Sequence, residues 1–204
     1  MTSIVGLVHL RSVGADALLI EVDNPLDWFV ALDAERAAGR LPVVDIVPGA
    51  RTVLLDGVAD PAGLAAKLSG WVLDPASVPP GSPLTVDVRF DGVDLPFVAE
   101  LAGLSIDEVV GVLTGTELKV AFCGFAPGFA YLSGLPWNVP RLGTPRTRVP
   151  AGSVALAAEF AGIYPTASPG GWRIVGHSEA RLFDVGRTPP ALMTPGRSVR
   201  FRAS

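Results

Sequence analysis

The groups in this chain that could do chemistry gather between Gly124 and His177, in three stretches and the strand that follows them. The stretches are Gly124 to Pro136 (GFAPGFAYLSGLP), Thr144 to Ser153 (TPRTRVPAGS) and Gly162 to Arg173 (GIYPTASPGGWR). In the turns Ala126-Pro127-Gly128 and Ser168-Pro169-Gly170-Gly171, glycine permits positive φ, so successive backbone N–H groups can converge on an oxyanion or a phosphate. Arg146, Arg148 and Arg173 can add charge-assisted hydrogen bonds. Gly128, Gly170 and Gly171, with Arg146 or Arg173, are therefore the available donors for negative oxygen charge in a transition state. His177, the one histidine outside the N-terminal strand, can take or give a proton near neutral pH. Ser153 has no further histidine to activate it, so binding suits it better than nucleophilic attack. Phe125, Tyr131, Tyr164 and Trp172, with Phe129, can stack on a ring or line a pocket, and their hydroxyls favour Tyr131 and Tyr164. All of these residues also have a structural use. Gly and Pro shape turns and bulges, aromatic residues beside turns fill barrel ends, and a lone histidine often serves as a surface hydrogen-bonding group.

The familiar nucleotide and nucleophile patterns are missing. The chain has no Gly-x-x-x-x-Gly-Lys-Ser/Thr loop, no Gly-x-Gly-x-x-Gly before a helix and no Gly-x-Ser-x-Gly elbow. Its two lysines, Lys67 and Lys119, do not neighbour a serine, which argues against a Ser-Ser-Lys amidase arrangement. Any use of ATP must rest on a nonstandard site shared with partners. Cys123 is the single cysteine, so no internal disulfide and no multi-cysteine metal site can form, and no metal site is evident. A small buried thiol is expected there.

Charge is distributed unevenly. Residues 1–139 carry seven basic and 17 acidic side chains, whereas residues 140–204 carry nine arginines and three acids, so an anionic ligand or acidic partner would favour the C-terminal third. Ordinary solvated surface arginine is the competing reading.

Elements must position these groups. ALLIEV (Ala17 to Val22) reads as a buried strand, and Leu26 to Ala38 has helical apolar spacing and stops at Gly39. Pro42 to Val47 and Arg51 to Val58 read as strands joined by Pro48-Gly49, and Asp60-Pro61 opens a helix to Leu68. With Ile4 to Leu10 as a leading strand, this half predicts a small α+β sandwich. The proline-rich stretch Asp74 to Pro83 reads as a linker. The predicted domains are residues 1–78 and 79–204. Beyond the linker, Leu84 to Phe90 alternates as a strand, and Asp94 and Ser105 cap two helices separated by Gly103. That helix pair imitates a DNA-reading helix-turn-helix, but Asp107 and Glu108 open its second helix and would repel phosphate, so no nucleic-acid partner is expected. From Lys119 onward, short strands alternate with Gly/Pro turns, which predicts a closed β-barrel. No apolar run reaches the roughly 20 residues that span a bilayer, and no signal peptide opens the chain, so a cytoplasmic, membrane-free location is expected.

The three Gly/Pro/aromatic stretches, in this order and at these separations, resemble the family described as KipI-like, carboxyltransferase C/D-like or allophanate hydrolase subunit 1. Its members include the B-type component of prokaryotic 5-oxoprolinase. The resemblance is dense over residues 84–202 and weaker, though in order, before that. It implies an N-terminal α+β domain, a C-terminal cyclophilin-like β-barrel and, as partner, a larger subunit 2 (of the C type). With a third component of the A type, such complexes open the cyclic amide 5-oxoproline to glutamate at the expense of ATP, and none of the components suffices by itself. Other members are described as inhibitors of a sporulation histidine kinase, which makes a non-catalytic binding module the alternative. The sequence departs from the family pattern at Glu159 and Phe160, where polar amides are usual. It departs again at His177 within Gly176-His177-Ser178, and at Leu113, which aligns with a histidine.

Overall fold

The computed structural model describes residues 8–71 and 83–204. The chain forms two compact units, Met1–Pro80 and Gly81–Ser204. The expected linker at 74–83, the boundary at 78/79 and the start of the leading strand at Ile4 lie outside the described residues, apart from Pro83.

In the first unit, β1 (His9–Val13), β2 (Ala17–Glu21), β3 (Asp45–Pro48) and β4 (Thr52–Asp56) form an antiparallel sheet in the order β1-β2-β4-β3. Alternation sends Leu18 and Ile20 to the same face as their cross-strand partners Leu55 and Val53, and all four are buried. Helix α1 (Pro25–Ala37) covers that face over β3 and β4, and α2 (Pro61–Leu68) covers it over β1 and β2. Burying each such Leu or Ile contributes about 1.5–3 kcal/mol. Asp60 starts α2 by accepting the Gly63 N–H at 3.0 Å, with Pro61 fitting the first turn where no N–H is needed.

The second unit is a barrel. Its strands are β5 (Leu84–Val88), β6 (Leu118–Cys123), β7 (Ala130–Ser133), β9 (Ser153–Ala157), β10 (Phe160–Ile163), β12 (Arg173–His177) and β13 (Ser198–Ala203), in the order β12-β9-β10-β7-β6-β13-β5. The two edges meet because Arg89, just past β5, exchanges both backbone hydrogen bonds with His177 at 2.8 Å. Two further bonds extend this seam: Gly92 N–H to the Val175 carbonyl (3.2 Å) and Asp94 N–H to the Ile174 carbonyl (2.9 Å). The approach requires glycine, since a Cβ at Gly176 would stand 2.5 Å from the Arg89 carbonyl oxygen.

Alternation divides β7, β9 and β10 between two cores. Val120, Leu132, Val154, Leu156, Ile163 and Phe201 fill the barrel interior, while Tyr131, Ala155, Ala157 and Phe160 on the same strands face outward into a second cluster. The outer layer includes β8 (Arg146–Val149), paired with β11 (Ser168–Gly170) as a two-stranded sheet. Helices α3 (Leu95–Ala102) and α4 (Ile106–Gly115) pack on β12 and β13. Ser105 and Glu108 form the capping box: the Ser105 hydroxyl accepts the Glu108 N–H (3.3 Å) and the Glu108 carboxylate accepts the Ser105 N–H (2.8 Å). The helix pair that resembled a helix-turn-helix buries Val98, Val109 and Leu113 in the barrel's core cluster.

Candidate functional site

A cavity of about 330 Å³ opens at the barrel seam. The segment after β5 supplies Asp91 and Gly92, β8 and its following turn supply Arg146, Arg148 and Pro150, β9 supplies Ser153, and β12 supplies Ile174 and His177. Arg146 and Arg148 share it because residues two apart on a strand point the same way. Gly152 turns the chain from β8 into β9 at φ 80° and lies against the His177 ring.

The anchor behind this cavity is Asp94, which the sequence presents only as a helix cap. It does occupy the N-cap of α3, yet its side chain makes no cap bond. Instead the carboxylate turns into the seam, 7% exposed, where it accepts the Arg146 Nη2–H at 2.9 Å and the Ile174 N–H at 2.7 Å. Arg173 Nη1 lies 3.7 Å away. A carboxylate so deeply buried is sustained by its paired charges and its hydrogen bond.

The three residues expected to carry catalysis therefore have different surroundings. Arg146 lines the cavity, but one Nη is bound to Asp94 and the other donates to the Trp172 carbonyl at 3.3 Å. Arg173 does not line the cavity: its Nε donates to the Pro140 carbonyl (3.2 Å) and its guanidinium sits 3.7 Å over the Phe97 ring. His177 lines the cavity with Nε2 2.9 Å from Glu179 Oε1, a hydrogen bond whose direction depends on the tautomer. Of the expected binding residues, only Ser153 joins them. The nearby Asp91 carboxylate is held below its ordinary range by its hydrogen bond from Arg89.

The aromatic candidates assemble elsewhere, on the outer face of β7, β9 and β10. Phe129 is the hub, 2% exposed, with ring centroids of Phe125, Tyr131, Tyr164 and Trp172 at 5.3, 5.1, 5.5 and 5.4 Å, all edge-on. Burial pushes the phenols of Tyr131 and Tyr164 above their ordinary range. Phe160, one of the departures from the family pattern, packs on Tyr131, while Glu159 is exposed. Phe125 is 63% exposed at φ 69°, an unusual conformation for a large side chain, and Pro127 is exposed on the same turn. Gly128 lies against Leu182 and Phe183, and Gly170 against the Tyr164 hydroxyl. The Gly171 carbonyl accepts the Leu142 N–H at 2.8 Å. Ser168 Oγ is buried without a hydrogen-bond partner on β11. Among the described residues no group of three or more His, Cys, Asp or Glu could hold a metal ion, and no helix is long and apolar enough to cross a membrane.

A small antiparallel α+β unit followed by a closed barrel is the architecture of carboxyltransferase-like domains. Urea carboxylase of Kluyveromyces lactis matches the whole chain with a TM-score of 0.73 over 22% of its own length; at 16% identity this is a likeness of fold. The chain belongs to the family of the carboxyltransferase domain, subdomain C and D, whose sequence profile matches residues 8–193. It is 36% identical to the B-type 5-oxoprolinase component of Escherichia coli O157:H7 over 203 residues, 93% of each chain. The corresponding B-type 5-oxoprolinase component of Haemophilus influenzae is 35% identical over 82% of this chain and 83% of its own. Among solved structures, the conserved uncharacterized protein PH0987 from Pyrococcus horikoshii shares 30% identity with a TM-score of 0.57, covering 96% of this chain and 97% of that one. TTHA0988 shares 31% identity with a TM-score of 0.74, and this chain spans 40% of its length.

Proposed function

We propose that this chain is the B-type component of a cytoplasmic, ATP-dependent 5-oxoprolinase that opens 5-oxoproline to glutamate. It turns over only with two partners, a larger subunit 2 of the C type and a third component of the A type. The observation that supports this reading is the identity of 36% to a B-type 5-oxoprolinase component over 93% of both chains. A stable lactam resists water until its carbonyl oxygen is activated, which phosphorylation by ATP supplies. The seam cavity, at about 330 Å³, suits a small ring better than a nucleotide, so ATP is assigned to the complex. Within the cavity, Arg146 offers positive charge fixed in place by Asp94, and His177 is the group able to move a proton on the attacking water. In this reading the aromatic block and the turns at Gly128, Gly170 and Gly171 shape the wall of the outer layer.

The test is reconstitution with the cognate partners and measurement of ATP-dependent glutamate release. Arg146→Ala is expected to slow turnover by about 100-fold, the typical cost of losing one donor to developing oxygen charge. Arg173→Ala should cost less, since its guanidinium is engaged by Pro140 and Phe97. If both variants assemble and turn over at the wild-type rate, the assignment of the site is wrong. A chain that blocks histidine-kinase autophosphorylation without partners or ATP turnover would mark a binding module instead.

A further inference from the structure

We propose that the seam cavity recognises a small organic carboxylate, and that Arg148 and Ser153 are the residues that grip it. The proposal deepens the reading of the chain as part of an oxoprolinase; it rests on that reading for the identity of the natural carboxylate, not for the geometry.

Ser153 is 3% exposed and lines the cavity. Its backbone is fully engaged, with the N–H donating to the Pro150 carbonyl (3.3 Å) and the carbonyl accepting the Tyr164 N–H (3.0 Å). Its hydroxyl has no hydrogen-bond partner among the described residues. The next outward positions of the same strand, Ala155 and Ala157, carry alanine where the aromatic block covers them. The hydroxyl stands instead where β9 reaches the cavity, free to donate to or accept from a bound ligand.

Asp91 is paired with Arg89, and Arg146 shares the Asp94 carboxylate with Arg173, so the guanidinium of Arg146 is already engaged within the protein. Arg148 lines the same wall, two residues along β8 from Arg146, and makes no hydrogen bond or ion pair with any described residue. A single unpaired guanidinium presents its planar fork to a carboxylate, whose two oxygens it can hold together. The volume, about 330 Å³, lies at the small end of the roughly 300–1,000 Å³ typical of ligand pockets.

The experiment is a nitrogen-15 NMR titration of the purified full chain at constant ionic strength with sodium 5-oxoproline, sodium acetate and inorganic phosphate. Saturable shifts are expected at Ser153, Ile174, His177 and the Arg148 Nε–H with both carboxylates, and phosphate should bind at least about ten-fold more weakly than 5-oxoproline. Arg148→Met should weaken 5-oxoproline binding about ten-fold or more, and Ser153→Ala should do so several-fold with folding retained. Shifts that do not saturate, that persist unchanged in Arg148→Met, or that phosphate produces as readily, overturn the proposal. The wider reading is tested separately in the reconstituted complex. Binding by the chain with no lactam cleavage by the complex sinks the oxoprolinase reading alone. Cleavage whose KM is unchanged by Arg148→Met sinks the carboxylate site alone.

Discussion

The aromatic block and the seam cavity draw on the same stretches of sequence and meet at Trp172, whose ring belongs to the block while its carbonyl receives Arg146. They differ in what their side chains face. Around Phe129, four rings meet edge to face and both phenols are pushed up by burial. At the seam, Asp94 secures Arg146, yet Arg148 and the Ser153 hydroxyl are left without partners among the described residues. Polar groups that a fold leaves unsatisfied beside an opening are better guides to a site than aromatic rings, which can satisfy one another by packing.

The largest effect that would sharpen this contrast is in the block. Phe129→Ala is expected to cost about 3–5 kcal/mol in urea unfolding, because a buried ring is removed from beneath four others. The 5-oxoproline titration of the folded variant should change little. If binding is lost while the fold persists, block and cavity are one site and the distinction fails.

Asp94→Ala comes next, at about 3 kcal/mol, since it leaves two half-buried guanidinium groups and the Ile174 N–H without their acceptor. Asp94→Asn keeps an oxygen for that amide and should lose less stability, while still loosening Arg146. A positioning role predicts that Asp94→Asn lowers kcat more than it raises KM in the reconstituted complex. Equal stability of the Ala and Asn variants would show that the carboxylate's hydrogen bond to Ile174 contributes nothing.

The smallest effect is spectroscopic. Tyr131 and Tyr164 are the only two tyrosines in the chain, so ultraviolet titration reports the block alone. Burial raises both phenol pKa values, so the folded state holds these protons more tightly than the unfolded chain, whose tyrosines titrate near pH 10. Stability is thus unaffected below that value and is lost as pH rises through the folded one. The native curve should lie at higher pH than the curve in urea. A phenol that ionises at the ordinary pH in the native chain would place its hydroxyl in open solvent rather than in the block.

Much of this was legible locally. The strand alternation of ALLIEV, the helix starts at Pro25 and Pro61 and the Ser105 capping box follow from periods and caps that a few residues define. The expected α+β class with a barrel after it is the architecture found, because Gly/Pro punctuation from Lys119 onward allows little but short strands. The site was legible only in part. Arg146 and Ser153 come from the motif stretches and His177 from the strand after them, and the shared face of Arg146 and Arg148 could be counted from a period of two.

The elements, and the residue types able to bind an anion, depend on neighbours along the chain and can therefore be read from it. Which of those residues face a common space depends on folding. Asp94 lies 52 positions before Arg146 and 80 before Ile174, and it reads as a helix cap until the barrel closes at Arg89 and His177 and brings all three together. The same closure separates Arg173 from the cavity. Its strand places it near Pro140 and Phe97, contacts between distant segments that no local pattern encodes.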